Sequence, residues 1–156
     1  MVPEDSPLVL NRRAMIGGVG GLALIGLSPL TASAAPEDLR AAIEERFGDR
    51  SIEEARVTLK APPIAENGYS VPITVSVDSP MTEQDHIQSI CILSERNPLP
   101  NIADFQMSPR TGRAEVSARI RLGGTQTLLA IAETNSGALY SGTAEIVVTL
   151  AACVVL

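Results

Sequence analysis

Two hydrophobic periods follow one another along the chain, a helical period first and a strand period after it. The helical period comes from apolar side chains spaced three or four residues apart, at Leu39, Ala42, Ile43 and Phe47. Proline and acidic residues stand in its first turn, and Gly48 is a stop signal. Residues 36–49 are therefore predicted to form a helix whose apolar face packs against the rest of the domain.

After the helix, apolar residues alternate with polar ones, which is typical of half-buried β-strands. The alternating runs cover residues 56–61, 71–77, 86–93, 112–122, 125–133 and 139–150. Turn signals separate them, among them residues 94–101 and 108–112. Short strands at this spacing, without alternating helices, predict an all-β fold, an immunoglobulin-like antiparallel β-sandwich with a short N-terminal helix.

The alternation also predicts which side chains face the core, because alternate residues of a strand share a face. The first inward set comprises Val71, Ile73, Val75 and Val77, and the second comprises Val116, Ala118, Ile120 and Leu122. By the same rule, Cys91 is expected to be a buried and inert thiol. Its face of the strand would be shared with Ile87, Ser89 and Leu93.

The beginning of the chain has a different pattern, which predicts an export signal. Paired arginines, Arg12 and Arg13, precede an uncharged stretch and the small residues 32–34, a cleavage-type sequence. Their context resembles the twin-arginine consensus and implies export in a folded state, alone or with a partner. A general secretory signal is the alternative. A membrane anchor is disfavoured, because the glycine-diluted run is shorter than the roughly 20 apolar residues an anchor needs.

These patterns divide the chain into three parts. We expect a signal peptide at 1–34, a domain at 35–150 and a C-terminal arm at 151–156. The mature protein would lie in the periplasm, with no membrane attachment once the signal is removed.

Charge and composition narrow the chemistry. The net charge of −6 and the absence of tryptophan argue against nucleic acids and anionic membranes as partners. The single histidine, His86, has no second histidine or cysteine at metal-ligand spacing, and is expected to be solvated or locally hydrogen-bonded. We therefore expect no cofactor, no metal and no catalytic residue, and a self-contained enzyme is disfavoured.

Cys153 is the candidate functional residue, because only Val154, Val155 and Leu156 follow it. If the last strand ends near Leu150, an extended tail carries this thiol roughly 10 Å beyond the sheet. An accessible thiol in the periplasm favours use as an attachment point. A disulfide between Cys91 and Cys153 is the alternative, and it requires Cα atoms within about 7 Å.

Five segments resemble the SoxY family, the sulfur carriers of the periplasmic thiosulfate-oxidising system. They are IAENG (64–68), VPITVSVDSPM (71–81), NPLP (97–100), GRAEVSARIRL (112–122) and AEIVVTL (144–150). The resemblance implies a sandwich paired with a SoxZ-like subunit. It also implies a C-terminal cysteine, matched by Cys153, that holds sulfur intermediates covalently. Separate enzymes, including a haem-containing conjugating enzyme and a manganese protein, act on these intermediates, so the carrier itself is not an enzyme.

The residues flanking Cys153 depart from the family arm, which reads Gly-Gly-Cys-Gly-Gly. Here the flanking residues are Ala151, Ala152, Val154 and Val155. Glycine permits backbone angles closed to other residues, whereas valine is stiff and favours extended structure. Three functions therefore stay open. The first is a covalent sulfur carrier, the second is a SoxY-like interaction subunit whose arm has lost that function, and the third is a periplasmic binding domain stabilised by a Cys91–Cys153 disulfide.

Overall fold

The computed structural model describes residues 36–152, so the predicted signal peptide and the residues Cys153, Val154 and Val155 lie outside the described part. One helix, α1 (Pro36–Phe47), precedes the strands. These are β1 (Ile52–Glu53), β2 (Val57–Lys60), β3 (Ile64–Ala65), β4 (Val71–Val77), β5 (Ile87–Ser94), β6 (Asn101–Gln106), β7 (Ala114–Ile120), β8 (Gln126–Thr134) and β9 (Leu139–Val148). A 3-10 turn spans Pro109–Thr111. Within residues 36–152, no helix is long and apolar enough to cross a membrane.

The strands form two sheets, as the alternation predicted. The larger sheet has the order β1-β9-β8-β5-β6, with β3 also paired to β9, and the smaller sheet has the order β2-β4-β7. The long strands pair antiparallel, whereas the two-residue strands β1 and β3 run parallel to the two ends of β9. The all-β sandwich with a short helix is thus confirmed, with two short parallel pairings added.

The main core lies between the sheets. The inward set predicted on β4, Val71 to Val77, is buried throughout. On the β7 side, Ile120 and Leu122 are buried, whereas Val116 and Ala118 are half-buried. These two half-buried residues lie on β7, which is an edge strand and has a paired neighbour on one side only. The hydrophobic pattern therefore identified the core, but not its open edge.

Helix α1 covers the outer face of the larger sheet and makes a second apolar cluster there. Phe47 packs with Cys91, Leu93, Ile131 and Leu139. The helix ends where predicted, because Gly48 adopts a left-handed conformation with φ of 62°. Arg46 pairs with Asp104 on β6, and Arg50 Nη1 lies 2.6 Å from Glu133 on β8. The apolar face of the helix therefore packs on the sandwich, as its spacing predicted.

The region around β5 contains two departures from the sequence prediction. Ile87 was expected on the face of Cys91, but it lies in the inter-sheet core because the register of β5 against β8 shifts between Ile87 and Ser89. The prediction was wrong for Ile87 and right for Leu93, which joins the helix-side cluster. Strand β6 was not predicted, and it takes its first residue, Asn101, from the predicted turn.

Candidate functional site

The end of the described chain is held against the domain by backbone hydrogen bonds. Beyond β9, Thr149 N donates to Ala65 O at 3.0 Å, and Gly68 N donates to Leu150 O at 2.8 Å. Ala152 N then donates to Leu122 O at 3.0 Å. Ala151 is exposed, whereas Ala152 is only 4% exposed. The described part of the predicted arm is therefore anchored as far as Ala152.

Four residues form the contact that holds the chain end, and we call them the C-terminal clasp: Gly68, Leu122, Leu150 and Ala152. Leu122 N donates to Gly68 O at 2.8 Å, which closes a continuous run of backbone bonds from Leu150 through Gly68 and Leu122 to Ala152. The clasp joins three segments that are far apart in sequence. Its bonds hold the last described residues against the domain.

A buried polar network supports the loop that carries Leu122. Asn97 Nδ2 donates to Arg121 O at 2.8 Å, and Gly123 N donates to Asn97 Oδ1 at 2.9 Å. Ser94 Oγ accepts from Asn97 N at 3.0 Å and also bonds to Gln126. Asn97 and Gln126 are 8% and 5% exposed, so their hydrogen bonds form largely out of water. Because Asn97 bonds on both sides of Leu122, it fixes the position of the clasp carbonyl.

Sequence reasoning missed this network, although a signal for it was present. Asn97 opens the NPLP segment, which was assigned to a turn and to the family resemblance. An asparagine beside prolines predicts a turn but does not reveal which distant backbone groups its amide reaches.

Cys91 is buried, as predicted, and carries a free thiol. Its Sγ donates to Asn101 Oδ1 at 3.7 Å. Burial raises the pKa of this thiol to about 12; the Arg46 guanidinium opposes the rise and the Asp104 carboxylate adds to it. A thiol with this pKa stays protonated near neutral pH, and the protonated form is a poor sulfur nucleophile.

Asp104 is the cross-strand neighbour of Cys91 on β6 and forms an ion pair with Arg46. Burial alone would raise the pKa of Asp104, but a hydrogen bond from Asn101 and the charge of Arg46 hold it below the usual value. Asn101 Nδ2 lies 2.7 Å from Asp104 Oδ2. The carboxylate is therefore ionised near neutral pH and keeps its ion pair with Arg46 on the helix.

The position of Cys91 also bears on the internal disulfide. Cys91 lies opposite Ile131, five residues into β8 from Gln126. Ala152 instead bonds to Leu122, in the loop that precedes the first residue of β8, Gln126. Five strand residues span roughly 16 Å, more than twice the separation of about 7 Å that a disulfide allows. Cys153 itself lies outside the described residues, so the bridge between Cys91 and Cys153 stays an alternative.

Exposed apolar side chains surround the clasp. They lie on two hydrogen-bonded segments, 63–69 and 147–152, and are Ile64, Tyr69, Val147 and Leu150. Ile64 and Val147 are direct cross-strand neighbours and are 61% and 48% exposed. These side chains form an exposed apolar surface next to Ala152, and such surfaces are common in protein interaction sites.

A groove of about 480 Å³ opens between the edge strands β6 and β7. Its floor includes Ile102, Phe105 and Ile120, and Arg119 and Arg121 also line it. In the described sheets, β6 pairs with β5 alone and β7 with β4 alone, so each strand leaves one edge free. Free strand edges can pair with another chain.

The histidine and the acidic residues do not converge on a metal-binding arrangement. His86 Nδ1 lies 3.0 Å from Thr82 O, and His86 N donates to Asn135 Oδ1 at 3.3 Å. The local hydrogen bonding expected for His86 is confirmed. Among residues 36–152, no three His, Cys, Asp or Glu side chains are grouped to hold a metal ion.

Comparison with protein families places the whole domain in one group. Residues 43–153 match the family described as "Sulfur oxidation protein SoxY". Among solved structures, the sulfur carrier protein SoxY from Chlorobium limicola f thiosulfatophilum is 36% identical, with a TM-score of 0.61. The match covers 73% of this chain and 98% of that one. Among curated proteins, none matches this sequence.

More distant structures share the fold alone. The superoxide reductase (neelaredoxin) from Ignicoccus hospitalis is 20% identical, with a TM-score of 0.54, over 75% of this chain and 95% of its own. A putative superoxide reductase from Thermotoga maritima is 19% identical, with a TM-score of 0.53, over 67% and 96%. The same sandwich therefore occurs in proteins with another printed activity, and the fold by itself does not assign a function.

Proposed function

The chain belongs to the SoxY family, and on that premise we propose that it is a covalent carrier of sulfur intermediates in thiosulfate oxidation, with Cys153 as the attachment residue. One observation carries the choice of cysteine. The chain has two cysteines, and Cys91 is buried with a raised pKa, whereas the family match extends to residue 153. We therefore assign the nucleophilic role to Cys153.

The proposed chemistry follows from thiolate reactivity. The Cys153 thiolate and the terminal sulfur of thiosulfate lose two electrons and form an S–S bond, giving a cysteine S-thiosulfonate. A haem-containing conjugating enzyme accepts both electrons. A separate hydrolase then adds water and cleaves the bond between the outer sulfane sulfur and the sulfonate, releasing sulfate and two protons and leaving the cysteine persulfide as its anion. The carrier supplies the sulfur atom and its position, while other proteins supply the oxidant and the hydrolytic groups.

A SoxZ-like subunit is the partner we propose for the domain. The free edges of β6 and β7 and the apolar groove between them support this assignment. Loss of complex formation on replacing Phe105 by Glu, but not on replacing the solvent-facing Ser117 by Glu, would identify the groove. Binding that survives both changes would place the partner elsewhere.

Residues 1–34 would direct the chain to the periplasm by the twin-arginine route, and the arm would comprise residues 151–156. A fusion of residues 1–40 to a folded reporter tests the route. Replacing Arg12 and Arg13 by lysine should stop export of the reporter. Unchanged export would contradict the assignment of Arg12 and Arg13 to a twin-arginine signal.

Loading of the carrier tests the main proposal. The mature chain is mixed with its partner subunit, thiosulfate and the conjugating enzyme, and its intact mass is measured. The wild type should gain one thiosulfate-derived group, Cys153→Ser should gain none, and Cys91→Ala should load like the wild type. No mass gain in the wild type, with the partner still bound, would favour the interaction subunit whose arm has lost function.

A further inference from the structure

Gly68 lies where a side chain cannot fit. A Cβ atom at this position would stand 2.4 Å from Leu122 O, 2.9 Å from Ala152 N and 3.1 Å from Val148 Cγ1. The two closest atoms belong to the backbone, so they cannot move aside as the tip of a flexible side chain would. The approach between these three segments therefore requires glycine.

The close approach is what allows the clasp to form. Gly68 donates to Leu150 O and accepts from Leu122 N, both at 2.8 Å. Leu122 O in turn accepts from Ala152 N at 3.0 Å. A larger residue at position 68 would push the carbonyl of Leu122 away from the chain end. The last of these bonds, at Ala152, would then be lost.

We propose that Gly68 is a positioning residue for the carrier cysteine: by closing the clasp it holds the chain through Ala152 and leaves Cys153 as the first residue beyond the anchor. The inference rests on the proposed function of Cys153. Consecutive Cα atoms are about 3.8 Å apart, so the clasp fixes the origin of the sulfur-bearing side chain to within one residue.

The clasp changes the length of chain that separates the sulfur from the domain. With the clasp closed, the thiol-bearing position directly follows the anchored Ala152. With the clasp open, the last residue bonded to the domain is Thr149, whose N donates to Ala65 O, and the four residues from Leu150 to Cys153 span up to roughly 13 Å. When an enzyme binds the thiol, each freed residue must be ordered again, which costs conformational entropy. An open clasp therefore weakens the binding of the thiol by the enzyme.

Two pairs of matched variants test the clasp. Gly68→Ala is compared with Gly142→Ala, whose Cβ would meet Val57 O at the same 2.4 Å but lies within β9, away from the clasp residues. Ala152→Pro removes the last donor of the clasp. It is compared with Ala151→Pro, because in the described chain the Ala151 amide donates no hydrogen bond.

Amide hydrogen exchange reports the first pair. In Gly68→Ala, the Ala152 amide should exchange about tenfold faster than in Gly142→Ala, the factor expected for losing one hydrogen bond. Both variants should lose thermal stability, so stability alone does not distinguish them. Equal exchange of the Ala152 amide in the two variants would overturn the proposal.

Loading kinetics report the second pair, which changes only the chain end and leaves the core intact. The kcat/KM of the conjugating enzyme should fall about fivefold or more for Ala152→Pro relative to Ala151→Pro. The rate of Cys153 with a small thiol reagent should stay within about twofold, because the thiol lies outside the clasp in both variants. Equal kcat/KM values would overturn the positioning role. A wild type that never loads would count against the proposed function, and the exchange comparison would then decide on the clasp.

Discussion

The difference in reactivity between the two cysteines can be predicted quantitatively. Burial raises the pKa of Cys91 from 9.0 to about 12. Below pH 9, a pKa higher by three units makes the thiolate fraction of Cys91 about a thousandfold smaller than that of an ordinary thiol. The thiolate is the form that reacts. In the native protein, Cys91 should therefore react with an aromatic disulfide reagent about a thousandfold more slowly than an ordinary exposed thiol.

The assay follows thiol release by absorbance at pH 8, with and without denaturant. The native wild type should show one fast and one slow phase, assigned by variants: Cys153→Ser keeps only the slow phase and Cys91→Ala only the fast one. In denaturant, both thiols should react quickly without added reductant. A native Cys153→Ser protein that reacts as fast as its unfolded form would refute the reasoning about burial. An unfolded wild type with no free thiol would establish the internal disulfide instead.

Three further predictions follow from the packing. Because the Cys91 pKa is higher in the folded state, the folded protein retains a proton that the unfolded chain loses above pH 9. Relative to Cys91→Ala, the free energy of unfolding should therefore fall by up to about 1.4 kcal/mol per pH unit as the pH rises from 9 toward 12. Urea titrations at several pH values check this, and parallel pH profiles for the two proteins would contradict it. Phe47→Ala should lower the free energy of unfolding by about 3 kcal/mol or more, because Phe47 is only 3% exposed. The control Ala41→Ser, at an exposed position of the same helix, should lower it by well under 1 kcal/mol. Equal urea midpoints for the two variants would disprove the helix packing. Asn97→Ala should lower the free energy of unfolding by about 1–3 kcal/mol, because it leaves buried hydrogen-bond partners unpaired. It should also speed hydrogen exchange of the Ala152 amide. Unchanged exchange would show that the polar network does not support the clasp.

Alternation along the chain was sufficient to locate the long strands. Strand β4 has the predicted limits, because a polar or exposed residue follows each buried one from Val71 to Val77. The helix was equally clear, since its apolar spacing and Gly48 indicate a helix and its end. In both cases the local pattern agrees with the burial in the structure, so long-range contacts did not change the secondary structure that the local sequence favours.

Strand β6 could not be predicted in the same way. Pro98 and Pro100 precede it, and Asp104 interrupts its apolar alternation. The charge is accommodated by a hydrogen bond from Asn101 and by Arg46, which pairs with it from the helix. The displaced face of Ile87 likewise depends on a register shift against β8 that no local pattern encodes. These features depend on partners that are distant in sequence.

The candidate site shows the same division. The sequence pointed to Cys153 through its place at the chain end and the family resemblance. The clasp could not be predicted, because Gly68, Leu122, Leu150 and Ala152 meet through backbone groups, which have the same chemistry at almost every position. The glycine in IAENG was visible, but the atoms that exclude a side chain there come from two other segments.

The most direct test of the carrier assignment is the intact mass of Cys91→Ala after incubation with the partner subunit, thiosulfate and the conjugating enzyme. In this variant Cys153 is the only cysteine, so any disulfide-type adduct must be attached to it. We predict the gain of one thiosulfate-derived group, which a thiol reductant removes. An unmodified mass, under conditions in which a glycine-armed SoxY protein is loaded, would contradict the assignment.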